Sequence, residues 1–72
     1  MPGDRDPRVD PREGDVTEGA YGLRYRVTDR TGASVWFASG DMVARMSIGR
    51  WRDVARLDRV IHVADGVAAH RR

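Results

Sequence analysis

A mostly β fold with one short helix is the class this sequence predicts, and three observations carry it. Tyr21, Leu23, Tyr25 and Val27 alternate with Gly22, Arg24, Arg26 and Thr28, the period of a half-buried strand. A second stretch, Ser34-Val35-Trp36-Phe37-Ala38, is rich in β-branched and aromatic residues. Apolar residues recur at helical spacing only late, at Ile48, Trp51, Val54 or Ala55, and Leu57. A small SH3-like antiparallel β-barrel is the expected architecture, because rolling a short sheet hides its edges and a helix plugs one end. The alternative is an α+β arrangement, a three-stranded sheet with one helix packed on a face.

The elements follow in order. Residues 1–13, MPGDRDPRVDPRE, hold all three prolines, and Val9 is their only apolar side chain after Met1. Such a segment buries too little to order alone, and proline at 2, 7 and 11 opposes helix, so an extended or disordered arm is expected. The domain proper is expected over 14–65. Gly14-Asp15-Val16 reads as a turn entering a short strand, followed by the Tyr21–Thr28 strand. Asp29-Arg30-Thr31-Gly32 has turn chemistry, which makes the Ser34–Ala38 strand the second arm of a hairpin. Ser39-Gly40-Asp41 makes another turn, and Met42–Met46 is a candidate strand. Ser47 is placed to cap a helix of two to three turns. Asp58–Val63 reads as a closing strand, with a frayed tail over 66–72. In this reading the aromatic core is Trp36 or Phe37 with Trp51, and Tyr21 and Tyr25 share the core parity of Leu23 and Val27.

Composition narrows the chemistry. A chain of 72 residues, 40% apolar and 33% charged, supports one small domain burying roughly 60% of its unfolded surface. It contains no cysteine, which removes disulfides, thiolate metal sites and cysteine nucleophiles. No apolar run approaches the length of a membrane span and no signal-peptide pattern is present, so the chain reads as a cytoplasmic protein with no membrane association. His62 and His70 stand eight residues apart with no carboxylate at ligand spacing, and His62 fits an outward-facing strand position. The serines have no partnered base, and Gly14–Gly19 lacks the Lys-Ser/Thr of a phosphate loop. Neither an enzyme nor a cofactor is expected.

Charge placement is more informative. The net charge is +2, with 13 basic residues that are all arginine. Residues 1–19 carry three arginines against six carboxylates and are net acidic. Residues 45–59 carry Arg45, Arg50, Arg52, Arg56 and Arg59 against Asp53 and Asp58. Arg24 and Arg26 add to the polar side of the first strand. Guanidinium forks make paired hydrogen bonds to carboxylate or phosphate, so these seven arginines are the candidate binding residues for an acidic protein surface or nucleic acid. The ordinary alternative is a solvated face in which Asp53 pairs with Arg50 or Arg56. The acidic arm is a candidate to fold back over the basic helix.

The run Asp10-Pro11-Arg12-Glu13-Gly14-Asp15-Val16, the Tyr25-Arg26-Val27 and Val35-Trp36-Phe37 strands, and the helix from Ser47 through Trp51 to Ala55 resemble small phage and prophage proteins that open with Pro-x-x-Gly-Asp-Val. The resemblance covers residues 10–61. It implies an origin on a mobile element and a non-catalytic binding role, with inhibition of host machinery, such as an anti-CRISPR activity, among the functions found in proteins of that kind. Three functional expectations follow. The first is a binding module that meets an acidic protein through its arginine-bearing helix face. The second is a nucleic-acid-binding regulator using the same surface. The third is a structural or homo-oligomeric phage component, a homodimer included, assembled through an exposed sheet edge.

Overall fold

A computed structural model of the chain describes residues 5–64. It contains five strands, β1 (Val16–Glu18), β2 (Arg24–Arg30), β3 (Ser34–Ser39), β4 (Met42–Ser47) and β5 (Arg59–His62), and one helix, α1 (Ile48–Val54), between β4 and β5. All pairings are antiparallel, and the strands lie in the order β4-β3-β2-β1-β5. The fold is therefore mostly β with one short helix, and its sheet has five strands where the alternative reading had three. It is an open sheet, since no pairing joins the edge strands β4 and β5 among the described residues. The helix, packed on β3 and β4, covers apolar surface that closure of the sheet would otherwise have hidden.

Local chemistry accounts for each junction. Glu18 of β1 stands opposite Arg24 of β2, so the chain must reverse within residues 19–23. Gly19 N–H donates to the Leu23 carbonyl (2.8 Å), and Ala20–Gly22 form a single 3-10 turn. The strand therefore starts at Arg24 and not at Tyr21, which corrects the period-two reading at its first residues. Tyr21 sits at φ +62°, in the left-handed region, and is 99% exposed. The β3–β4 hairpin turns at Gly40-Asp41, with Gly40 at φ +60° as a two-residue turn with glycine first requires. Ser47 caps α1 by accepting from the Arg50 amide at 3.1 Å.

The core lies between the sheet and α1. Val27, Val35, Phe37, Ile48, Trp51 and Ala55 are buried, with Tyr25, Ala44 and Met46 packed against them. Tyr25 meets Phe37 edge-on at 5.8 Å between centroids, and Phe37 meets Trp51 at 5.6 Å. Alternation along β3 sends Val35 and Phe37 inward and leaves Trp36 on the other side of the sheet. Leu57 lies beyond the end of the seven-residue helix and is 86% exposed, so the apolar helical spacing overruns the helix itself.

Residues 5–13, which the sequence suggests as an extended or disordered arm, lie against this core. Pro7 and Pro11 are buried, and the Pro7 carbonyl accepts from the Trp51 indole N–H at 2.9 Å. Asp15, fully buried, accepts from both terminal nitrogens of Arg5, from the Arg12 amide (2.7 Å) and from the Ala64 amide (2.7 Å). Arg5 also donates to the carbonyls of Asp10 (2.9 Å) and Ala64 (2.8 Å). Arg30 pairs with Asp10 and donates to the Pro11 carbonyl (2.8 Å). These side-chain bonds supply what apolar burial along the segment does not. Residues 1–4 and the tail over 66–72 lie outside the described residues.

Two outcomes are expected. Asp15→Ala leaves Arg5 and two amides without their acceptor, and breaking a buried ion pair on one side costs about 3–5 kcal/mol. Urea unfolding of that variant is expected to show a loss of this size or no folded baseline. The Asp10 carboxyl is held below its usual range chiefly by the Arg30 hydrogen bond, and the Asp6 carboxyl likewise by Arg8. A depressed folded-state value contributes stability above the unfolded value of about 3.9, lost as pH falls through the folded value. The melting temperature is therefore expected to stay level from pH 7 to about pH 5 and to drop below about pH 4.

Candidate functional site

The sheet has two unlike faces, and the one away from α1 collects aromatic and basic side chains. Along β2, Tyr25 and Val27 turn to the core, which puts Arg24 and Arg26 outside. Along β4, Ala44 and Met46 turn inward and Val43 and Arg45 outward. Register then sets Trp36 beside Arg45, and sets Ala38 between Arg26 and Val43. The Arg45 guanidinium carbon lies 5.9 Å from the Trp36 ring centroid, within cation–π range. Arg26 stands opposite Val16 of β1, which stands opposite the exposed His62 of β5. Trp36, Ala38 and Val43 thus form an apolar strip, with Val43 70% exposed, bordered by Arg26 and Arg45.

Charge on this face is only partly neutralised. Glu18 is shared between Arg24 Nε (3.4 Å) and an Arg59 terminal nitrogen (3.5 Å). Both contacts are solvent-exposed and contribute little to stability. Arg26 and Arg45 make no ion pair among the described residues. Asp29, level with Trp36, is the other carboxylate on the face, and its Oδ1 accepts from the Arg30 amide.

The arginines of the helix are elsewhere. Ile48 and Trp51 bind α1 to the inner sheet face, which places Arg50, Arg52 and the following Arg56 on solvent at the opposite side of the molecule from Arg24, Arg26 and Arg45. The seven candidate arginines therefore form two groups, with Arg59 joining the sheet group through Glu18. Arg52 Nε donates to the Val9 carbonyl (2.8 Å), so the N-terminal segment does fold back onto the helix. It does so through backbone oxygens; the Asp6 and Asp10 carboxylates pair with Arg8, Arg12 and Arg30.

Of the two alternatives for the core aromatic of β3, Phe37 takes the core and Trp36 lies on the outer face. Its position was available from parity, since Phe37 shares the face of Val35 and Trp36 cannot. Tyr21 was assigned to the core and is exposed, because the β1–β2 reversal consumes it. Among the described residues no group of three or more His, Asp or Glu side chains stands where it could hold a metal ion. His70 lies outside those residues. No described helix is long and apolar enough to cross a membrane. Comparison with protein-family models, curated proteins and solved structures gives no match.

Removing the cation from the Trp36 ring tests whether the pair organises this face. Arg45→Ala is expected to lower stability by about 0.5–1 kcal/mol while leaving far-ultraviolet dichroism unchanged. A loss above about 3 kcal/mol would assign Arg45 to the core packing instead.

Proposed function

We propose that this protein is a non-enzymatic binding module that meets an acidic protein through the outer face of its sheet. The observation that carries the reading is the Trp36–Arg45 pair at the centre of an apolar strip flanked by Arg26. Tryptophan and arginine are the side chains most enriched at the energetic centres of protein interfaces, and charged rims steer association. A single half-buried tryptophan beside two aliphatic residues suits a protein surface better than a run of stacked bases, which calls for successive exposed aromatics. The helix group offers no such centre, since Arg50, Arg52 and Arg56 surround Asp53 and Arg52 is engaged with Val9.

The SH3-like architecture, a cytoplasmic setting and the phage resemblance belong to the same proposal. The strand order, with a helix linking the two edge strands, is compatible with an SH3-like barrel opened between β4 and β5. A small module with one adhesive face acts by occupying its partner's surface, which is how an inhibitor of host machinery, an anti-CRISPR protein included, would work.

Affinity capture from nuclease-treated host lysate separates the readings. Arg26→Glu combined with Arg45→Glu is expected to abolish capture of the acidic partner while the protein stays folded, its melting temperature falling by no more than the loss of the Trp36–Arg45 pair, about 0.5–1 kcal/mol, accounts for. The triple change of Arg50, Arg52 and Arg56 to Ala is expected to retain it. The opposite pattern would move the interface to the helix. Capture that vanishes with nuclease treatment, together with affinity falling steeply with salt, would identify nucleic acid as the ligand.

A further inference from the structure

On the other side of the sheet, between the Ala20–Gly22 turn, β4 and the end of α1, two adjoining hollows share Tyr25, Val54 and Asp58. The outer one is an open trough of about 610 Å³ reaching Gly19, Ala20 and Leu57. The inner one, about 220 Å³, runs under Met42 and Met46 towards Phe37 and Trp51. A dry cavity of about 150 Å³ is enough for a benzene ring, so the inner hollow has room for one aromatic side chain. Methionine walls adapt to such a guest. Met42 and Val54 are about half exposed at the rim, apolar surface left without cover.

Asp58 gives the slot its chemical preference. Its Oδ2 accepts from the Thr17 hydroxyl (3.2 Å), whereas Oδ1 receives no hydrogen bond among the described residues. A Cβ at Gly19 would meet that same Oδ1 at 3.1 Å and Tyr25 Cε2 at 3.2 Å, so glycine keeps the carboxylate open to the trough. Glu18, which borders the trough at the edge it shares with the outer face, is taken up by Arg24 and Arg59. The Arg8 guanidinium donates to the Asp58 carbonyl (3.2 Å) and lies near enough to feel the carboxylate's charge, yet makes no hydrogen bond to it, so the slot offers an apolar hole with one open carboxylate acceptor, Oδ1, at its mouth.

We infer that this slot binds a peptide segment in which an aromatic side chain is followed by a cationic one. The ring fills the hollow beneath Met42 and Met46, and the cation reaches Asp58 Oδ1. This ligand is opposite in charge preference to the partner of the outer face, and the slot and that face have different lining residues, so binding at the two is read out separately.

The test uses the full chain, labelled with nitrogen-15, and two blocked dipeptide probes, acetyl-Trp-Lys-amide and acetyl-Trp-Glu-amide. Saturable shifts are expected at the amides of Gly19, Ala20, Tyr25, Val54 and Asp58, with the lysine probe binding at least fivefold more tightly. Asp58→Asn keeps an acceptor for Thr17 and is expected to erase that preference while leaving the residual affinity for both probes. Met42→Glu is expected to weaken the tryptophan anchor of both. Equal affinity of the two probes for the unaltered protein, shifts confined to the Trp36 face, or no saturation would each overturn the inference, whatever the variants do.

Discussion

The buried carboxylate of Asp15 is the interaction on which the remaining structure depends. It ties Arg5 and Arg12 of the N-terminal segment to Ala64 at the far end of the described chain, in a molecule without a single cysteine to cross-link them. Removing a carboxylate and a guanidinium from water is costly, and only charge-assisted bonds from several directions offset that cost. Asp15 has four such donors. The consequence reaches the helix. With Arg5 fixed, Pro7 is held where its carbonyl meets the Trp51 indole and Val9 where its carbonyl meets Arg52. The N-terminal segment is thus part of the fold's closure, and its prolines add rigid, donor-free backbone that needs no ladder partner.

This explains why composition misled over residues 5–13. A stretch with one apolar side chain cannot order itself by burial, and that inference holds for the segment in isolation. What holds it is an acceptor outside it, at Asp15, and a donor on Trp51, neither of which is visible from the segment's own residues. The regular elements were far more legible. The hairpin turn at Gly40, the Ser47 cap and the Ser34–Ala38 strand are local chemistry, and each stands where the sequence puts it. The Tyr21–Thr28 pattern was right in period and wrong in extent, because Glu18 pairs with Arg24 and the intervening residues must turn.

The basic residues show a different limit. Their clustering in sequence between 45 and 59 suggested one surface, but β4 and α1 lie on opposite sides of the core and divide the cluster. Conversely, Arg26 and Arg45, nineteen positions apart, border one strip because both flank β3. Sequence proximity predicts shared surface within a helix or along alternate positions of a strand, and fails wherever the chain crosses from sheet to helix. Only the register of three strands brings Trp36, Ala38, Val43 and the two arginines together.

The inner slot follows from dimensions. Five strands at about 4.8 Å spacing span about 19 Å, whereas one helix covers about 10 Å of that width. The helix α1, seven residues long, lies over β3 and β4, while β2 contributes Val27 and Tyr25 to the core they share. Glycine and the reversing turn at Ala20–Gly22 leave the space beyond Tyr25 unfilled, and the chain supplies no second helix among its described residues to occupy it. A larger domain would cover this surface with its own side chains. In a chain of this size the uncovered strip next to Met42, Val54 and Leu57 persists as a consequence of the topology, and Asp58 sits at its mouth because the loop from α1 to β5 must pass there to deliver Arg59 opposite Glu18.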